Sequence, residues 1–440
     1  MSTENKEVEY IGENFAVLHG AGAVVSLAAD IAKKPDYLIT NPMPEGSIVQ
    51  YWGGNNLLPS EQRQKLEKTT TAFPLIANAA KTLFGRGPQY YLEKRTSTGI
   101  VKDYTPVPEI EEFLQGIDLE LIMLERWMDL KMYNNLFCEF ITNGAGTKIV
   151  NITHQEAEFC RFGLIKDNKI SQVLINSDWE KYPANYATVP FFDDYATSRE
   201  EALKTAGAKK KFITHNNIPS PGRTLYAVPS HVGLFQTNGW IDYSLSVPLL
   251  MNKINQNGFA LRYHIEIPYD FWEKTYQDWK QKTPAEQQTL KDAKMDEMNN
   301  FLKGIDNVGK NFYSHFGVHQ ATGKEIAGWK ITELKDPIKK DQFLTSLQEA
   351  DMQTARAIGV DVSLANISNQ SNSMGAGSGS DKRVGMNNTI SSSYAEQMIV
   401  LKPLKTVGII NQWPSNVKWT FEYEVPTTLN ENKSGTKIIA

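Results

Sequence analysis

The stretch N-S-M-G-A-G-S-G-S-D-K-R, Asn372 to Arg383, holds three glycines and three serines before a charged cluster. Glycine-rich backbone followed by hydroxyls and cations is the material of a phosphate cradle. A P-loop needs a lysine and a Ser/Thr directly after its last glycine. Here Gly379 is followed by Ser380, Asp381, Lys382 and Arg383, and Asp381 would repel a phosphate. His315 and His319 sit four apart, a spacing that shares a metal on a helix. Gly317 and the flanking aromatics argue for strand or loop instead, and no third ligand is near. The carboxylate pairs Glu111-Glu112 and Asp193-Asp194 lie in polar surroundings and read as solvated faces. No Ser/His/Asp arrangement carries a local signature, and neither Cys138 nor Cys160 has one. The residues give no catalytic constellation, and the expectation is a protein that is not an enzyme and holds no cofactor or metal.

The elements around the Gly/Ser stretch decide how it reads. A helix is expected from about Ile338 to Gly359. Ser380 to Trp413 is again mostly helical, with a bend at Pro403. A plain linker is one reading of the stretch, and a short flexible loop between two packed helices fits better. Earlier in the chain, Gly-Gly-Asn-Asn at 53–56 reads as a turn and Ser60 as a helix cap. Phe73, Ile76, Ala77, Ala80 and Phe84 recur at helical spacing, and Gly85 to Pro88 stops that helix. One long amphipathic helix is expected from Glu109 to Tyr133, then a hairpin turning at Asn143-Gly144. Ile241 to Gly258 reads as a helix, Phe259 to Pro268 as a strand, and short strands follow around 311–316 and 328–334. The clearest helix is 284–304, with Thr283 as cap, Pro284 first and Gly304 as its stop. Between these last elements Tyr269, Trp272, Tyr276 and Trp279 cluster with lysines, as core or as a partner surface. V-K-W-T-F-E-Y-E-V near the end alternates as a strand.

The chain has 440 residues, 41% hydrophobic and 22% charged, which permits two or three regions with a packed core. Lys plus Arg number 46 against 50 Asp plus Glu, a net charge of −4. Proteins that wrap nucleic acid tightly carry a basic excess, so contact with DNA is expected to be local or loose. The two cysteines read as small core hydrophobes in a reducing environment. The first residues lack an apolar signal core, and Phe15 to Ile31 is too short and mixed to span a bilayer, so a soluble chain without an export signal is expected.

Several segments in order resemble one family, the portal proteins of tailed bacteriophages, in the shorter form found in phages of Bacteroidetes-type hosts. Y-W-G-G-N-N-L-L-P is similar to the family's early W-G-x-D-N-x-x-P motif, with Asn55 where Asp is usual. F-G-R-G-P matches the small turn after the first wing helix. D-L-K-M-Y-N-N-L-F-C-E-F resembles a segment that often reads D-x-x-x-x-G-N-x-y-x-E, with Asn134 for Gly. P-L-L-M-N-K-I-N-Q-N-G-F resembles the first stem helix and its exit. D-Q-F-L-T-S-L-Q-E-A-D-M-Q-T-A-R-A-I-G-V-D resembles the second, with Asp361 for the proline of G-V-P. S-G-S-D-K-R resembles S-G-S-[DE]-x-R. The resemblance covers residues 50 to 425.

It implies an α+β portal fold of wing, stem, clip and short crown, assembling as a dodecameric ring at one capsid vertex. Residues 1–242 would be the wing region, 243–258 the first stem helix and 259–337 the clip. Residues 338–359 would be the second stem helix, 360–380 the tunnel loop, 381–413 a long kinked wing helix and 414–440 the crown. The channel residues would be Asn372, Ser373, Met374, Gly375, Gly377, Ser378, Gly379, Ser380, Lys382 and Arg383. Partners would be the major capsid protein, the terminase motor, the head–tail adaptor and double-stranded DNA passing without sequence specificity, with no membrane. The location would be the virion, after assembly in the host cytoplasm. A loop around a helical polymer whose symmetry differs from the ring's needs a different conformation in each subunit, and glycines allow it. Serines offer hydrogen bonds without the charge that would stall sliding. Lys382 and Arg383 either reach phosphates or cap and pair on the following helix. The competing readings are another virion ring protein, such as a head–tail adaptor, and a hydrolase with a dispersed site.

Overall fold

The computed structural model describes residues 8–11, 15–18, 23–26, 46–97, 99–165, 170–194, 210–223, 225–257, 263–268, 270–276, 278–303, 317–318, 325–326, 329–333, 340–361, 364, 379–427, 432, 434 and 436–439. Helices and antiparallel sheets are mixed along the chain, an α+β arrangement. The chain forms two units. One comprises Met1–Ala29 with Ser246–Leu344, the other Asp30–Leu245 with Thr345–Ala440. The helices Trp240–Asn257 and Lys340–Ile358 carry the chain between them.

Among the described residues the larger unit holds two large apolar cores and a small third cluster of Val49, Leu174 and Trp179. The first gathers helix Leu119–Tyr133, helix Lys402–Asn411 and a sheet of Val417–Phe421, Pro88–Thr96 and Gly99–Asp103, in that order. Trp127, Met123, Leu404 and Phe421 are buried there. The second gathers Trp52, Phe137, Phe162, Ile213, Ala355 and Ile358, and the sheet Lys211–Asn216, Leu136–Thr142 and Ile149–Gln155 serves both cores, giving Cys138, Phe140, Ile152 and Phe212 to the first. Cys138 and Cys160 are free and buried in these cores, where desolvation pushes both thiols up, Cys138 to about 12.

Several boundaries differ from the sequence reading. The expected helix 109–133 is two helices, Pro108–Gln115 and Leu119–Tyr133. Asp118 breaks it because its carboxylate accepts the Leu121 N–H at 3.1 Å and starts a new helix. Ser60 is not a cap. The helix starts at Leu58 with Pro59 in its first turn, and Asn55 Oδ1 takes the Leu57 N–H at 3.0 Å. The stretch 380–413 is three helices, Gly379–Ser392, Tyr394–Val400 and Lys402–Asn411, the last with Pro403 in its first turn. The final strand is two, Val417–Phe421 and Tyr423–Pro426, with Glu422 between. The hairpin at Asn143-Gly144 joins Leu136–Thr142 to Ile149–Gln155, and Asn143 Oδ1 accepts the Thr147 N–H.

In the smaller unit, helix Pro284–Lys303 opens with a reciprocal cap. Thr283 Oγ1 accepts the Glu286 N–H at 3.4 Å, and Glu286 accepts the Thr283 N–H at 2.8 Å. Tyr263–Glu266 pairs with Lys330–Glu333. Trp272 and Trp279 are buried and stacked at 5.7 Å, with Tyr276 beside them and Lys291 Nζ 5.7 Å from the Trp279 ring. These three aromatics serve as core, while Tyr269 lies outside the described residues.

Candidate functional site

Residues Asn372, Ser373, Met374, Gly375, Gly377 and Ser378 lie outside the described residues, as do His315 and His319. The structure does describe both ends of the segment that carries them. Gly379 and Ser380 open helix Gly379–Ser392. Lys382 is exposed and Arg383 half-buried, and neither pairs with a carboxylate among the described residues. No group of His, Cys, Asp and Glu among the described residues could hold a metal ion.

Upstream, helix Lys340–Ile358 ends in a closed turn. Gly359 takes φ +80°, its N–H donates to Arg356 O at 3.1 Å, and the Val360 N–H donates to Ala355 O at 3.0 Å. This is the Schellman pattern that glycine permits. Ala355 and Ile358 are anchored in the second core, so the chain leaves a fixed point. Downstream, Ser393 and Gln397 are buried and joined by Gln397 Nε2 to Ser393 Oγ at 3.0 Å. Lys131 pairs with Glu396 at 2.6 Å and ties this helix to Leu119–Tyr133.

A cavity of about 620 Å³ separates the two anchors. Val360 and Leu364 line it on one side, Ser392 and Glu396 on another, and His231 within. His231 is buried and bonded to the backbone of Met132. Its Nε2 has no hydrogen-bond partner among the described residues, and desolvation holds its pKa down at about 4, so the ring is neutral.

The bend near Pro403 is fixed by a side chain the sequence reading missed. Proline has no N–H to offer the carbonyl four residues back, Ile399 O, and the Leu404 N–H turns to Leu401 O. Arg126, fully buried, donates to the Val400 and Ile399 carbonyls, beside the Leu401 N–H that also turns to Ile399 O. Its Nε donates to Val400 O at 2.9 Å and its Nη2 to Ile399 O at 3.3 Å. Nη2 also reaches Asn216 Oδ1 at 3.4 Å, and Asn216 donates to Asp194, which pairs with Lys402 at 3.2 Å. Burial pushes the Asp194 carboxyl up against the opposing pull of Lys402.

The sequence motifs resolve into scaffolding. In Y-W-G-G-N-N, Trp52 stacks on Tyr226 at 4.4 Å, under the fully buried Arg161 guanidinium at 5.4 Å. Asn56 holds φ +67° and accepts Arg161 Nε at 2.7 Å. Arg161 is lowered to about 10 by desolvation and stays charged. Asn55 Nδ2 donates to Glu61 at 2.7 Å; an aspartate there would face a second carboxylate. Asn134 stands at φ +56°, where glycine is usual in the resembling family. Its amide donates to Ile218 O and Val228 O and accepts the Ile218 N–H. Only the order of residues in such segments was legible, because their partners lie about 80 to 105 positions away.

No family model and no curated protein matches the chain. The fold has solved counterparts. A chain in the virion of a native gene transfer agent particle superposes with TM-score 0.51 at 12% identity, covering 89% of this chain and 88% of that one. A chain in the neck of the native particle, computed with C12 symmetry, gives 0.51 at 10% identity over 84% of each. One in the neck of the empty particle, computed with C6 symmetry, gives 0.50 at 12% identity over 85% and 86%. The chain has the fold of a gene transfer agent virion chain. No helix among the described residues is long and apolar enough to cross a membrane.

Proposed function

We propose that this chain is a ring-forming virion protein of the portal type, a conduit for double-stranded DNA and not an enzyme. The observation that carries the reading is the near full-length likeness to chains of a virion and its symmetric neck. The ordered motifs that resemble phage portal proteins support it. On this reading the ring is a dodecamer at the portal vertex of the capsid, docking terminase during packaging and the head–tail adaptor later. Helices Trp240–Asn257 and Lys340–Ile358 serve as the stem pair. Residues 360–380 form the tunnel loop, which runs from the Gly359 turn into the first two residues of helix Gly379–Ser392.

Two fixed anchors bracketing a glycine-rich segment suit that role, since the loop then varies while its roots do not. On this reading the exposed Lys382, at the end of the loop, reaches passing phosphates. The test is deletion of Ser373 to Gly379 in the phage. Rings should still assemble, and genome content should fall. Normal genome content would remove the tunnel-loop assignment. Rings that bind a portal rather than terminase would favour an adaptor.

A further inference from the structure

The sheet of Val417–Phe421, Pro88–Thr96 and Gly99–Asp103 has two unlike faces. Trp419 pairs with Tyr90, Lys418 with Tyr91, Glu93 with Lys102, and Arg95 with Ile100. Strand alternation then puts Tyr90, Leu92, Val417 and Trp419 on one face, and these pack on the first core. Tyr91, Arg95, Ile100, Lys102 and Lys418 stand on the other. That outer face is open. Ile100 is 63% exposed and the adjoining Tyr104 52%. Tyr91 lies 6.1 Å from Tyr104, with Lys102 Nζ 4.8 Å from its ring centre. Arg95, Lys102 and Lys418 are exposed there, and among the described residues of this face the carboxylate is Glu93, paired with Arg95 at 3.1 Å. The surface is aromatic with a positive surplus.

The opposite charge sits on a neighbouring element. Helix Pro108–Gln115 buries Ile110 and Phe113 in the same core, and Glu111 accepts the Tyr90 hydroxyl. Phe113 reaches the sheet through Trp413, at 5.4 Å from Phe113 and 6.2 Å from Trp419. The far side of the helix exposes Glu109 and Glu112. Exposed Asp118, Glu120, Leu121 and Glu125 continue into the next helix. Residues 104–125 contain six acidic side chains and no Lys or Arg. Sheet and helix share one core, and each keeps its charged side exposed.

A two-fold contact through either face would set like charge on like charge. A head-to-tail contact joins opposite charges, and head-to-tail contacts that close make rings. We propose that the basic, aromatic face of this sheet docks on the acidic face of helix Pro108–Gln115 in a second copy of this chain, repeating around the ring. The inference rests on the ring reading above.

Charge exchange tests it on the full chain. Lys102→Glu with Lys418→Glu should reduce ring assembly at least tenfold at moderate salt, with an unchanged circular dichroism spectrum. Adding Glu109→Lys with Glu112→Lys should restore assembly. As a second route, Lys418→Cys with Glu112→Cys should give a ladder of disulfide-linked oligomers on oxidation, since Cys138 and Cys160 are buried. With wild-type rings formed, lysine reversals that leave assembly unchanged, or a loss that the glutamate reversals do not rescue, together with no disulfide ladder, would overturn this contact and leave the ring reading intact. A wild-type chain that never forms rings would overturn both.

Discussion

Replacing Arg126 by Met removes the side-chain donor from one buried and one partly buried carbonyl while keeping most of the volume. Val400 O and Ile399 O accept from Arg126 at 2.9 and 3.3 Å, and no N–H of the next helix serves Ile399 because residue 403 is proline. A buried acceptor left without a donor costs about 1–3 kcal/mol. Val400 O as one such acceptor, with a smaller part from Ile399 O, which keeps the Leu401 N–H, less the relief of no longer burying a guanidinium, gives a loss of about 1–3 kcal/mol. The bend explains the cost, so the cost must depend on Pro403. In a Pro403→Ala background the new N–H can serve Ile399 O, and the Arg126→Met penalty should shrink by about 1 kcal/mol. Urea unfolding of the wild type, both single variants and the double variant measures the coupling. An Arg126→Met protein within about 0.5 kcal/mol of wild type, or the same penalty in both backgrounds, would refute this account of the bend.

Gly85→Ala should destabilise by about 2–4 kcal/mol in thermal melts, since a Cβ there meets Glu422 O at 2.4 Å and the residue holds φ +59°. Asn134→Gly keeps the left-handed turn but loses three side-chain hydrogen bonds, for about 1–3 kcal/mol, and Asn134→Ala should lose about 1 more. His231 has its folded pKa lowered by burial from 6.5 to about 4. The unfolded chain therefore binds more protons between those values. Its contribution is intact above pH 6.5 and is lost as pH falls, by about 3 kcal/mol at pH 4. Stability measured from pH 7 to 4 should drop accordingly, and His231→Gln should remove that part of the slope.

Much of the fold was legible where the cause is local. The Thr283 cap, the Asn143-Gly144 hairpin and the burial of both cysteines each follow from a few neighbouring residues. The helix across 109–133 was misread because its apolar spacing runs through the break, and a single carboxylate, Asp118, restarts it. Arg126 was invisible because its acceptors lie 273 and 274 residues away. His231 gave no signal either, since an orphan nitrogen exists only once the cavity is formed. Of the candidate channel residues, the sequence carried the composition, and the structure supplies the two anchors.

The most direct test of the central claim is the assembly state of the purified full chain, by native mass measurement with negative-stain imaging. The account predicts closed rings of about a dozen copies around an open channel. A compact dimer or tetramer without a channel would contradict it.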